Sequence, residues 1–181
     1  MGYLDYCSNC GARNETRVLE GRSRRVCPQC DTIHYENPRP AATIVAVRDE
    51  QLLLVKRAFP PAEGEWCLPG GYMELRESAA EAARRELREE TGLDAPDLTF
   101  LAFCPTPGGI RGDLLVFAFV SEAFTGQLVP GDDARDARFF PLADLPPVAF
   151  RCHRELIHSY RGSPLKSAHP VPAPTVGEKR P

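Results

Sequence analysis

The chain has 181 residues, 43% of them hydrophobic and 26% charged, with a formal net charge of −3. That length suits one main domain with a small extra module, and the charge gives no electrostatic footprint for nucleic acid, which is not expected as a partner. No apolar run approaches the ~18 residues of a membrane span. The N-terminus MGYLDYCSNC also lacks the basic-then-apolar layout of a secretory signal, so a cytoplasmic protein with no membrane partner is expected.

The first feature along the chain is a pair of Cys-x-x-Cys knuckles, Cys7 with Cys10 and Cys27 with Cys30, separated by sixteen residues. Two matched knuckles in so short a segment suit four thiolates held tetrahedrally around a structural Zn²⁺. Residues 1–37 carry few aliphatic side chains, so they cannot build a core alone, and a metal supplies the missing free energy. The segment therefore reads as a zinc ribbon. The remaining cysteines (Cys67, Cys104 and Cys152) suit a reducing compartment. Arg22, Arg24 and Arg25 form a short basic run, read as a solvated loop. Asn37-Pro38-Arg39-Pro40 reads as a stiff linker.

From Ala41 the pattern changes. ATIVAV (42–47) and QLLLVKRA (51–58) are β-branched and aliphatic runs joined by Arg48-Asp49-Glu50, which predicts a hairpin. FPPAEGEW (59–66) reads as a loop. Ser78 with Glu81 three residues on forms a capping box, predicting a helix from Ala79. Its apolar side is Ala79, Ala82, Ala83 and Leu87, and Gly92 is placed to end it in a left-handed conformation. Leu98 to Cys104 and Leu114 to Val120 read as strands linked by a flexible PTPGGIRGD loop. Ala137 to Phe140 reads as a short strand and His153 to Tyr160 as a helix. The Pro-rich segment 162–181 has no periodicity and is expected to be disordered. The element order predicts an α+β or α/β sandwich built on a mixed sheet, with a main domain over 38–161.

The stretch GYMELRESAAEAARRELREETGL (71–93) carries the chemistry. Glu86 lies three residues from Glu89 and four from Glu90, so their carboxylates emerge on one helix face. Like charges at that spacing cost a bare helix roughly 0.2–0.5 kcal/mol per pair. A cation that neutralises them resolves the conflict, and Mg²⁺ or Mn²⁺ suits carboxylates with room for water and phosphate.

Gly71, five residues, Glu77, seven residues, Arg85-Glu86-Leu87, one residue, Glu89-Glu90, one residue, Gly92-Leu93: this spacing resembles a complete Nudix box. The resemblance covers roughly residues 40–160 and implies the α/β/α sandwich of that family. It also implies a pyrophosphatase that hydrolyses the diphosphate of a nucleoside diphosphate derivative. Position by position, Glu86, Glu89 and Glu90 resemble the metal-binding carboxylates, with the carbonyl of Gly71 as a further ligand. Arg85 and Glu77 resemble a supporting ion pair. For the general base the candidates are Glu89 or Glu90, or an acid of the loop GDDARD: Asp132, Asp133 or Asp136. Arg76 stands before Glu77, where many members carry Gly, and is a candidate to offer a cation to the substrate.

The substrate is less sharply indicated. A zinc ribbon before such a domain resembles the NADH pyrophosphatases, but their Ser-Gln-Pro-Trp-Pro-Phe run is absent and LTFLAFCPTPGGIRGD stands there. A closer likeness is to ADP-ribose and FAD pyrophosphatases. Lys56 or Arg57, adjacent on a strand so that only one faces the site, together with Arg111, are candidates to hold the diphosphate. Phe59, Trp66 and Tyr72 are candidates to stack on a base, with Trp66 better read as core. The expected reaction is hydrolysis of FAD or ADP-ribose to AMP and a phosphorylated remainder. The alternatives are an NAD(H) or RNA-end pyrophosphatase and, in another class, a non-catalytic nucleotide-sensing regulator whose ribbon docks on nucleic acid or protein. A homodimer is suggested by the family alone.

Overall fold

A computed structural model describes residues 4–109, 112–131 and 133–163, and divides the chain into two compact units, Met1–Asn37 and Pro38–Pro181. The first unit is more than a pair of knuckle turns. Strands β1 (Glu15–Leu19), β2 (Arg22–Val26) and β3 (Ile33–His34) form a small antiparallel sheet. The basic run is therefore strand rather than loop: Arg25 pairs with His34 in register and reaches the Asp5 carboxylate at 3.4 Å. Its guanidinium neighbour Arg24 lies over the Tyr35 ring.

The second unit is organised around β4 (Arg39–Arg48), whose residues Ala41 to Val47 are all buried. A strand covered on both faces needs such an unbroken apolar run. Asp49 and Glu50 both take positive φ, as a two-residue hairpin turn requires, and β5 (Gln51–Arg57) returns alongside. The two strands pair only next to the turn, Val47 with Leu52 and Arg48 with Gln51. Beyond it they diverge, and two short strands enter: β6 (Trp66–Cys67) on β5 and β7 (Gly70–Tyr72) on β4. After helix α1 (Ala79–Thr91) and β8 (Leu93–Asp94) come β9 (Thr99–Gly109), β10 (Gly112–Ser121), β11 (Thr125–Gly126), β12 (Ala134–Pro141) and α2 (Arg151–Gly162).

The main sheet runs β12-β5-β4-β10-β9, with β10 parallel to β4 and the other pairs antiparallel, so it is mixed as expected. Helix α1 covers one face, burying Ala82, Ala83 and Leu87 on Ala42, Ile44, Leu53 and Val55. Helix α2 covers the other, burying Cys152, Leu156 and Ile157 with Val45, Leu52, Leu54 and Val116. The result is the α/β/α sandwich.

The expectation of a loop at PTPGGIRGD is overturned. Strand β9 continues through Pro105 and Pro107 to Gly109, and β10 begins at Gly112. Proline is tolerated there because β9 is an edge strand, with no neighbour on its outer side among the described residues. Strand β12 likewise extends beyond the range read from sequence, because its ladder pairing with β5 starts at Ala134, and α2 begins two residues earlier and ends two residues later than the range read from sequence. Of the segment 162–181 expected to be disordered, Gly162 ends α2 and Ser163 caps it, while 164–181 lies outside the described residues.

Candidate active site

Helix α1 begins as its sequence predicts. The Ser78 hydroxyl accepts from Glu81 N–H at 3.2 Å and the Glu81 carboxylate accepts from Ser78 N–H at 2.8 Å. It ends at Gly92, φ 69°, whose N–H donates to the Arg88 carbonyl. Between these caps the helix presents Glu86, Glu89 and Glu90 toward β7.

Glu90 is 4% exposed and its Oε2 accepts from the N–H of Gly70 at 3.0 Å. Burial pushes its carboxyl up to about 9; the Gly70 N–H opposes that shift, while the charges of Asp133 and Glu86 reinforce it. Glu86 is raised as well, mainly by burial, with Arg85 pulling it back and Glu89 and Asp133 adding to it. Glu86 sits directly over Gly71, so close that a Cβ there would displace its carboxylate.

Arg85 ties this cluster to the loop before the helix. Its guanidinium donates to both oxygens of Glu77 at 2.8 and 3.1 Å, to Glu86 at 2.8 Å, to Glu89 at 2.9 Å and to the Tyr72 carbonyl at 2.9 Å. The hydrogen bond from Arg85 holds the Glu77 carboxyl below the usual carboxylate range. Glu77 in turn accepts from Glu74 N–H at 2.9 Å, closing the loop.

The donor set fits a hard divalent cation. It consists of carboxylate oxygens on one helix face, one of them buried among other acids, where either a proton or a cation must balance the charge. Among the described residues these carboxylates do not form a metal-sized cluster as they stand, and Arg85 donates to both Glu86 and Glu89. The four cysteine sulfurs do lie within 4.8 Å of each other, with Cys7–Cys30 at 3.7 Å and Cys10–Cys27 at 3.4 Å. A tetrahedron with Zn–S near 2.3 Å has edges of about 3.8 Å, so the sulfurs fit that ion.

Register decides the other candidates. Leu53 and Val55 pack under α1, so Arg57, two residues on, faces the acids, and Lys56 lies on the opposite face against Trp66. Arg57 donates to the Pro61 carbonyl at 2.7 Å and stacks on Phe150, 5.3 Å from the ring centre. Asp133, whose carbonyl accepts from Ala58 N–H, acts on Glu86 and Glu90 through its charge. Asp136 is not brought to them. A bulge between Ala134 and Asp136 places it opposite Lys56, where it pairs with Arg138 at 2.7 Å. Tyr72 pairs with Ala41, so its ring lies on the face away from Glu86, with Arg39 5.2 Å from its centre. Phe59 and Arg76 are exposed. Trp66 packs edge-on to Phe140 in the α2-side core, and Arg111 and Asp132 lie outside the described residues.

Two contributors escape a reading of the sequence. The Gly70 N–H holds Glu90, and His153 Nδ1 accepts from Leu68 N–H at 3.1 Å, anchoring the segment that leads into β7. The Gly-Gly turn was a visible signal for the first; nothing in the sequence pairs His153 with Leu68, 85 positions away.

A NUDIX domain profile matches residues 37–160, and a Nudix N-terminal zinc ribbon profile matches 5–36. The chain belongs to the Nudix family. Among its Nudix relatives is the ADP-ribose pyrophosphatase of Methanocaldococcus jannaschii, 37% identical over 127 residues, which are 70% of this chain and 75% of that enzyme. The NAD-capped RNA hydrolase NudC of Vibrio vulnificus is 30% identical over 81% of this chain, which spans 54% of its length. A Nudix hydrolase from Nitrosomonas europaea superposes with a TM-score of 0.74 at 29% identity, over 90% of this chain and 93% of that one.

Proposed function

We propose that this Nudix protein hydrolyses the diphosphate linkage of a nucleoside diphosphate derivative, ADP-ribose or FAD, to AMP and a phosphorylated remainder. The observation that carries the reading is the buried carboxylate Glu90 beside Glu86 on the backbone of Gly70 and Gly71. The likeness to an ADP-ribose pyrophosphatase supports the choice of substrate.

In this reading Glu86, Glu89 and Glu90, with the Gly71 carbonyl, hold Mg²⁺ or Mn²⁺. Bound there, the ion would supply charge neutralisation for the diphosphate oxygens and a more acidic water. Arg85 is a positioning residue, fixing Glu77, Glu86 and Glu89 relative to one another. Arg57 offers a guanidinium to the phosphates from the β5 side. Asp133 is the loop acid we assign to accepting the proton of the attacking water, since its charge reaches Glu86 and Glu90. Four reduced thiolates hold Zn²⁺ in the ribbon, and keeping them reduced fits the cytoplasm.

A second reading is favoured by the likeness to NudC: cleavage of NAD(H) or of an NAD-capped RNA end. Against it stands LTFLAFCPTPGGIRGD in place of the aromatic-rich NADH run. The intact acids likewise argue against a regulator that has lost catalysis. A screen of ADP-ribose, FAD, NADH, NAD-capped RNA, dNTPs and diadenosine polyphosphates with Mg²⁺ or Mn²⁺ separates these. Release of AMP from ADP-ribose or FAD is expected, together with loss of turnover in Glu89→Gln and Glu90→Gln. Full activity in both variants would sink the mechanism.

A further inference from the structure

The face of the sheet under α1 extends beyond the helix onto β10 and β9, and there it is aromatic and open. Phe103 is 60% exposed and Phe100 45%, the latter edge-on to Phe119 with ring centres 5.8 Å apart. Leu98 to Gly109 contains no charged residue. Exposed phenylalanines on an uncharged strand are costly to leave in water, roughly 1.5–3 kcal/mol for a full side chain.

Their register ties them to the acids. Gly71 pairs with Ala42, Ala42 with Phe117, and Phe117 with Phe103. Directly paired residues share a face, so this is one continuous row on the side where Glu86 overlies Gly71. At about 4.8 Å per strand, Phe117 stands roughly 10 Å and Phe103 roughly 14 Å from Gly71 along the row. Phe117 is packed on the α1-side core and only partly exposed, so it floors the shelf, while Phe103 and Phe100 form its open part.

We propose that Phe103 and Phe100 are specificity residues, a stacking shelf for the nucleobase of the substrate whose diphosphate lies at Glu86. This rests on the proposed hydrolase reading. The occupant follows from the shelf's position and chemistry: it is apolar, aromatic and continuous with the phosphate end of the site, which suits the uncharged ring of a nucleobase. A base stacked on an aromatic ring gains about 1–3 kcal/mol, insensitive to its hydrogen-bonding edge.

The test uses the full chain with Mg²⁺ and reads binding as well as turnover. By calorimetry Phe103→Ala is expected to weaken AMP about tenfold and to leave ribose 5-phosphate, which lacks the base, unchanged; Phe103→Trp restores AMP. KM for ADP-ribose rises by a similar factor while kcat stays within about twofold. Equal AMP affinity in wild type and Phe103→Ala at unchanged melting temperature overturns the shelf. So does failure of wild type to bind AMP, or a change confined to sedimentation, which would make the patch a contact between copies. Wild type that binds AMP through Phe103 yet hydrolyses no diphosphate derivative overturns the hydrolase reading alone.

Discussion

A Cβ placed on Gly71 would stand 2.5 Å from Oε1 of Glu86 and 2.7 Å from its other carboxylate atoms. The backbone of β7 and the helix carboxylate therefore approach so closely that any side chain at 71 must displace the carboxylate. What Gly71→Ala would push aside is the end of a flexible side chain, not backbone. Stability should fall by less than about 1 kcal/mol, since an alanine side chain buries nothing polar and the strand conformation is open to it. Activity should fall much further, about a hundredfold, because a misplacement of one ångström at a positioned carboxylate costs about that much. Melting curves and kcat/KM on the same preparation check this. A variant that keeps full activity would show that Glu86 does not work where the structure puts it.

Asp133 and Asp136 offer a sharper comparison, because three positions separate two acids on opposite faces. Asp133 acts on Glu86 and Glu90, and Asp136 pairs with Arg138. If a loop acid accepts the water's proton, Asp133→Asn should lower kcat by about 10²–10⁴, and Asp136→Asn should leave it within about twofold. Saturating-substrate rates decide it, and equal rates in both variants would return the role to the helix glutamates.

Arg76 is exposed and holds φ 69°, a left-handed conformation that costs a side-chain-bearing residue roughly 1–2 kcal/mol. That accounts physically for the glycine common at this position in the family. Arg76→Gly should leave the protein as stable or up to about 1 kcal/mol more stable, the relief being offset in part by the freer unfolded chain. Arg76→Ala keeps the strained φ and should be neutral. If the Arg76 guanidinium also serves the substrate, both variants raise KM together, and denaturant melts with kinetics separate the two effects.

His153 sets an acid limit. Burial, with a smaller contribution from the charge of Arg57, lowers it to about 4, below its ordinary 6.5. The folded state keeps it neutral, with Nδ1 accepting from Leu68 N–H, while the unfolded chain takes up a proton first. Its contribution to stability is thus fully present above pH 6.5 and is lost progressively as pH falls toward 4. His153→Gln, which can still accept that hydrogen bond, should show a flatter stability profile across pH 4–6.5 in denaturant titrations. An unchanged slope would mean that another group carries the acid limb.

Removal of the ribbon metal should act locally. The four sulfurs converge within 4.8 Å of one another, as a ZnS₄ site needs, and residues 1–37 have little apolar surface to bury without the metal. A strong chelator, or Cys10→Ser, should raise amide exchange across β1 to β3 and leave the exchange of β4, β5 and α1 protected, since those strands have their own core. Elemental analysis of the purified protein should give about one zinc per chain. Protected amides in a zinc-free ribbon would overturn the metal's structural role.

The amino-acid sequence by itself determined the helix, its caps, the acids on its face and the thiolate cluster. Each depends on spacing within about twenty-five residues: Ser78 to Glu81, Glu86 to Glu90, Cys7 to Cys30. Helical periodicity and knuckle turns make such spacing geometry. The tertiary structure alone decided which of two candidates is placed toward the acids. Arg57 faces them rather than Lys56, Asp133 rather than Asp136, and the Tyr72 ring turns away while its carbonyl takes Arg85. Side chains on a strand alternate, so one residue of register, or the bulge before Asp136, moves a group to the other face. Register is set by partners far along the chain, as is the meeting of His153 with Leu68. The same physics aligns Phe103 with Gly71 across three strands that no local pattern connects.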